Sequence, residues 1–134
     1  MRVLVLGVID GESFNAIDQE HAHHRIRIEA IAAPSRGQPG APESRTSLNE
    51  LIQGNTLRLD SDHGDSAGRL IAQVNCKGSD IGLEQIKAGM ARYDPSQAAS
   101  LDKATREAYA SAQRAASAAH LGLWSASKPR QSIP

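Results

Sequence analysis

Cysteine is nearly missing: Cys76 is the only one in 134 residues, which excludes an internal disulfide. Aromatic side chains are equally scarce, with one tryptophan, two tyrosines and one phenylalanine. A surface that holds single strands by stacking bases on rings therefore has little to build with. There is no charge excess either, since lysine plus arginine equal aspartate plus glutamate at 15 each. That excludes the broad attraction of a strongly basic nucleic-acid binder. Any phosphate contact has to come from local clustering and should be weak and salt-sensitive. No apolar run approaches the ~20 residues of a membrane span. The opening MRVLVLGVI has one basic residue and a short apolar run, but no small-residue cleavage site follows. It reads as a first strand, and the expected compartment is the cytoplasm.

What is present fits one domain, residues 1–124, followed by a flexible tail over 125–134. Residues 3–9 are β-branched and apolar, a buried strand, and Asp10-Gly11 signals a hairpin into a second strand over 13–17. Residues 18–24 are polar and form its tip. From Arg25 the run RIRIEAIAAPS alternates Ile26 and Ile28 against Arg25, Arg27 and Glu29, then stops at Pro34, which holds Ala33 extended. Residues 34–42, with three prolines and two glycines, form a loop. Residues 43–53 place Leu48, Leu51 and Ile52 at helical spacing, ended by Gly54. Strands over 56–60 and 70–74 flank a polar loop over 61–68. A short helix spans 80–88, with Ile81, Ile86 and Leu83 inward, and a long one 100–120. Ser100 is the expected cap of the long helix, Asp102 lies in its first turn and Gly122 supplies a left-handed end. Its inward stripe is read as Leu101 with alanines at 104, 108, 112, 115 and 119. Five short strands, one helix between the third and fourth and two after the fifth suit an α+β, mainly β, Greek-key barrel of the OB type.

The motifs then resemble a known family. Residues 9–13, IDGES, are similar to the IDGDT turn of staphylococcal nuclease-like (thermonuclease) domains, and RIRIEAIAAPS is similar to their RxRLxGIDAPE. RGQPG at 36–40, DSAGR at 65–69, IKAGMA at 86–91 and GLW at 122–124 follow in the family's order. The resemblance implies an OB-fold barrel with three helices and, in active members, a calcium-dependent phosphodiesterase that cleaves DNA and RNA. In that site carboxylates hold calcium, a glutamate works on the attacking water and two arginines bind phosphate. Glu12 stands at one calcium-binding aspartate, while Ala32 stands at the other and Ser35 at the glutamate. Arg27 and Arg69 keep the phosphate positions, and Ala67 replaces a tyrosine. Calcium takes six to eight oxygen ligands, so Glu12 alone makes a weak site.

The resulting expectation is a nuclease-like domain that has lost calcium-dependent hydrolysis and binds single-stranded DNA, RNA or a nucleotide through Arg27, Arg69 and Tyr93. No cofactor is expected, with calcium at Glu12 only if activity persists. A repurposed metal-dependent nuclease and a protein-interaction domain, with a protein partner or a homodimer, are the alternatives, and no reading involves a membrane. Arg27 and Arg69 are equally open to a structural network with Glu12 or Glu29. Glu29 itself reads as an ion-pair partner of Arg25 or Arg27. Asp60, Asp62 and Asp65 have a spacing that suits calcium but read as a solvated turn, as do His21, His23 and His24. Cys76, Tyr109 and Trp124 read as core.

Overall fold

The computed structural model describes residues 1–127. β1 (Arg2–Asp10) and β2 (Ser13–Asp18) form the hairpin, and β3 (His23–Ile28) runs antiparallel to β2. β4 (Ile31–Ala32) is short, and α1 (Ala41–Ile52) leads to β5 (Thr56–Gly64) and β6 (Leu70–Cys76). β5 pairs with both β1 and β6. β3 then runs parallel to β6, with Ile26 opposite Leu70 and Ile28 opposite Ala72, and this pairing closes a five-stranded barrel. β7 (Ser79–Asp80), α2 (Ile81–Lys87), β8 (Arg92–Tyr93) and α3 (Lys103–Ala118) complete the fold. It is the mainly-β α+β barrel with three helices that the element order implies.

Alternation fills the barrel. Phe14 lies opposite Ile26, both with no exposed surface, and Val3, Val5, Leu57, Leu59, Ala72 and Val74 face the same interior. Burying a large aliphatic or aromatic side chain in this way is worth roughly 1.5–3 kcal/mol. Leu48 and Ile52 of α1 and Ile81 and Ile86 of α2 join the same core.

β1 departs from the expected fully buried strand. Register shifts between Val5 and Gly7 and between Val8 and Asp10 carry the inward set through Val3, Val5 and Val8. Leu4, Leu6 and Ile9 are left outside, each 45% exposed. β2 and β3 run further into the expected polar tip, which shrinks to residues 19–22. β5 continues to Gly64 because a bulge between Asp60 and His63 lets it pair on with β6, so half of the expected loop over 61–68 is strand.

The helix ends also differ. Asp102, not Ser100, caps α3: its carboxylate accepts from the Thr105 N–H at 2.7 Å. The left-handed end is His120 (φ 53°), where the Leu121 N–H reaches the Ala116 carbonyl and the His120 N–H the Ser117 carbonyl. The buried stripe of α3 is Tyr109 and Ala116 with Ala112 beside it, while Ala104, Ala108, Ala115 and Ala119 face solvent. Those alanines were misassigned because an alanine-rich helix has no large residue to mark its inner side except Tyr109. Residues 125–127 of the expected tail belong to a 3-10 turn, Gly122–Ser127, and residues 128–134 lie outside the described residues.

A buried polar knot ties the helices to the hairpin. Gln85 has no exposed surface, donates to the carbonyls of Gly11 (2.9 Å) and Ser44 (3.2 Å) and accepts from the Ser47 hydroxyl at 2.6 Å. A Cβ on Gly11 would lie 1.7 Å from Ser44 Oγ, so only glycine lets α1 come this close. On the opposite side the Tyr109 hydroxyl donates to Asp80, with oxygens at 2.7 and 2.9 Å. Asp80 also caps α2 through the Leu83 N–H. Burial first, then the Asp80 charge, pushes the Tyr109 phenol well above its ordinary range.

Candidate functional site

The site is built at the first hairpin turn. Asp10 Oδ1 accepts from the Glu12 N–H at 2.9 Å and the Ser13 hydroxyl at 2.7 Å, the side-chain-to-backbone closure that favours aspartate in turns. Ser13 pairs with Arg27 across β2 and β3, and the Ile28 N–H donates to the Glu12 carbonyl at 2.7 Å. Glu12 is thereby laid against Arg27.

Both oxygens of Glu12 are engaged. Oε2 accepts from Arg27 Nε at 2.7 Å, and Oε1 accepts from the Ala33 N–H at 2.9 Å. Arg27 in turn donates from Nη1 to Gln97 Oε1 and from Nη2 to the Ile31 carbonyl, each at 3.2 Å. The two side chains are only 13% and 14% exposed. The structural network left open by the sequence is thus present for Arg27, with Glu12 as its anion.

Glu29 takes no part in it, and its expected ion pair with Arg25 or Arg27 is not formed. β3 ends at Ile28, and Glu29 lies with Ala30 (left-handed, φ 64°) in the turn that follows, off the strand's arginine face. Glu29 is buried at 4% exposure and accepts from the Ser100 hydroxyl. That contact explains why Ser100 does not cap α3. Sequence alternation missed it because it presumed a straight strand through position 29.

Arg69 precedes β6 and sits beside Arg25 rather than Arg27, one step before the Ile26–Leu70 pair. Strand geometry puts its backbone roughly 8 Å from that of Arg27. Its Nε donates to Asp65 Oδ2 at 2.8 Å and its backbone N–H to Asp65 Oδ1 at 2.9 Å. The Arg69 N–H, then its guanidinium, hold the Asp65 carboxyl below the usual range. Arg25 donates to the Ala67 carbonyl. Tyr93 is half-buried on β8, its ring edge-on to Tyr109 at 5.8 Å and 82°, with its N–H donating to Gln113 Oε1.

The residues at the expected acid positions offer no carboxylate. Ala32 pairs with Arg92 in the β4–β8 ribbon, and the Ser35 N–H donates to Gln38 Oε1. Calcium requires several oxygen donors at once. Here the one acid at a family calcium position has both oxygens satisfied and a guanidinium at 2.7 Å. This donor set does not fit calcium. Among the described residues no group of three or more His, Cys, Asp or Glu side chains is arranged to hold a metal ion. His24 binds Asp18 at 2.8 Å, and that hydrogen bond with the Ala22 and Glu20 N–H groups lowers the Asp18 carboxyl, while His21 and His23 are exposed. Asp60 lies in β5 opposite Gln73, apart from Asp65 in its turn, and the side chain of Asp62 lies outside the described residues. Cys76 is a buried core residue, whereas Trp124 is only half-buried, with the Arg92 guanidinium 4.7 Å from its ring centre. Sequence reasoning missed Gln97, whose one signal was an amide on a short turn beside Pro95.

Known proteins are similar to this chain in sequence. The family described as Staphylococcal nuclease homologue matches residues 25–126. An "Uncharacterized endonuclease" of Haemophilus influenzae is 27% identical over 131 residues, covering 93% of this chain and 67% of that protein. A "Probable staphylococcal-like nuclease CAN2" of Oryza sativa is 32% identical over 108 residues, covering 81% of this chain and 28% of the rice protein. A "Probable endonuclease LCL3" of Verticillium alfalfae is 30% identical over 110 residues, covering 75% and 38%. The chain therefore spans about two thirds of the bacterial relative's length and well under half of the other two. With most of its length matched and a closed barrel carrying the motifs in the family's order, the chain belongs to the staphylococcal nuclease homologue family.

Proposed function

We propose that this nuclease-like domain does not hydrolyse phosphodiesters and binds single-stranded nucleic acid or a nucleotide weakly through Arg27 of β3 and Arg69, which directly precedes β6. The observation that carries it is the Glu12–Arg27 pair, closed by the Ala33 N–H, with Ala32 and Ser35 where a metal site and a base are needed. Loss of one well-placed catalytic group commonly costs about a hundred- to a thousand-fold in rate. Losses at two positions, with the remaining acid neutralised, leave no group to activate water. Among the described residues two of the five N–H donors of Arg27 are uncommitted, and Arg69 keeps 31% of its side chain exposed. A phosphate arriving there competes with Glu12 and Asp65, which is why the binding is weak and falls with salt.

Titration of labelled single-stranded DNA with and without calcium, following binding and cleavage together, tests this reading. Salt-sensitive binding without cleavage is expected. Calcium-dependent cleavage that disappears in Glu12→Ala overturns it in favour of a repurposed nuclease.

A second reading, a protein-interaction domain, is favoured by Leu4, Leu6 and Ile9, three large aliphatic side chains exposed along one strand. A strictly monomeric protein that binds single-stranded DNA and no protein counts against it. Among the described residues no helix is long and apolar enough to cross a membrane.

A further inference from the structure

Two arginines outside the hairpin corner converge on one cleft. Arg36 sits on a tight turn in which the Gln38 N–H reaches the Ser35 carbonyl at 2.9 Å and Gly37 adopts φ 89°. That left-handed third position suits glycine, and it fixes where Arg36 is presented. Arg45 projects from the second turn of α1. Both arginines, with Ile9, Asp10, Pro42 and Thr46, line a cleft of about 590 Å³ between the end of β1 and α1.

The charge balance of this cleft differs from that of the corner beside it. Arg27 and Arg69 each rest on a carboxylate, whereas neither Arg36 nor Arg45 makes an ion pair among the described residues. The one acid lining the cleft, Asp10, has an oxygen taken up by the Glu12 N–H and the Ser13 hydroxyl of its own turn. Two cations against one partly satisfied anion leave the cleft electropositive in a protein of zero net charge. Ile9, 45% exposed, adds an apolar wall. The volume lies within the range of clefts that take a small molecule or a single nucleotide.

The geometry points to this cleft as a second phosphate-binding site, at which Arg36 and Arg45 hold the backbone of single-stranded nucleic acid while Ile9 packs against a sugar or base. It rests on the nucleic-acid reading above and moves its main anchor. Asp10 and Glu12 belong to one hairpin turn, so the cleft adjoins the Arg27 corner and a single strand can run across both. A strand carries a phosphate at every residue and gains from two neighbouring cationic sites, which favours it over an isolated carboxylate on a protein. Guanidinium forks suit phosphate oxygens, and here none has to be freed from a carboxylate first.

The test compares the wild type with Arg36→Glu/Arg45→Glu in anisotropy titrations of a labelled oligothymidylate over a range of salt, with polyglutamate as a second probe. The expected result is binding weakened about tenfold or more, with a salt slope shallower by about 1.4, the share of two phosphates at about 0.7 each. Arg36→Gln/Arg45→Gln, checked by thermal melting, gives the same ordering if charge reversal disturbs folding. Unchanged affinity and slope in the double variant overturn the inference while nucleic-acid binding stands. A wild type that binds no oligothymidylate overturns both. Polyglutamate binding that needs Arg36 and Arg45, without oligothymidylate binding, makes the cleft an acidic-peptide site and overturns the nucleic-acid assignment.

Discussion

Replacing Glu12 with alanine separates a structural carboxylate from a metal ligand. The substitution removes a 2.7 Å charge-assisted bond to Arg27 and a 2.9 Å bond to the Ala33 N–H, at side chains 13–14% exposed. Hydrogen bonds to charged groups are worth about 1.5–3 kcal/mol each, and breaking a fully buried pair costs about 3–5 kcal/mol. Some water reaches this pair, so the expected loss is about 3 kcal/mol. For a chain of this length that lowers Tm by roughly 10–15 °C. Glu12→Gln keeps an oxygen acceptor for only one of the two donors and turns an NH2 toward the other, so it should recover little of this loss. The same melts are run with calcium. A metal that binds only the folded state at ten times its Kd adds about 1.4 kcal/mol, several degrees in Tm. Here the wild type should gain less than about 1 °C. Thermal melting followed by circular dichroism reads both arms. The reasoning is refuted if Glu12→Ala costs less than about 3 °C, or if calcium raises the wild-type Tm by several degrees and the substitution abolishes that rise.

Gly11→Ala places a methyl group 1.7 Å from Ser44 Oγ and 2.9 Å from Ala33 Cβ, so α1 has to move off the hairpin. Denaturant unfolding should show a loss of about 3 kcal/mol, and a loss below about 1 kcal/mol contradicts this packing. Tyr109→Phe leaves Asp80 its Leu83 and Gln73 donors but removes a buried hydroxyl bond, costing about 1–2 kcal/mol. Because the folded phenol is pushed up by burial and Asp80, the folded protein keeps a proton that the unfolded chain releases. This contribution is complete below about pH 10 and is lost as pH rises above it. An ultraviolet phenolate titration should look the same for wild type and Tyr109→Phe until unfolding begins, and a Tyr109-dependent signal in the folded protein excludes that environment.

The barrel was legible because its evidence is local. Alternation at Ile26 and Ile28, the Asp10-Gly11 turn and the Leu48–Ile52 spacing each follow from a few neighbouring residues, and their order leaves few topologies. Where the reading failed, a distant residue had the deciding vote. The hydroxyl of Ser100 was drawn from the helix cap by Glu29, 71 residues away, and the alanines of α3 were sorted by the position of one tyrosine. The register shifts that put Val8 inside and Ile9 outside are likewise a property of pairing, invisible in a run of apolar residues.

The candidate site divides along the same line. The amino-acid sequence alone determined which groups are available: Arg27 and Arg69 are present, Glu12 stands for one acid, and Ala32 and Ser35 supply none. Chemistry without a carboxylate at those positions follows from residue identity, which no fold can alter. Whether the retained groups face a ligand or one another was decided only in three dimensions. Hairpin register laid Glu12 on Arg27, and the turn at Asp65 closed on Arg69. Arg36 and Arg45 make no ion pair among the described residues. Charge pairing acts over a few ångströms of space, so pairings between residues far apart in sequence appear only once the chain has folded.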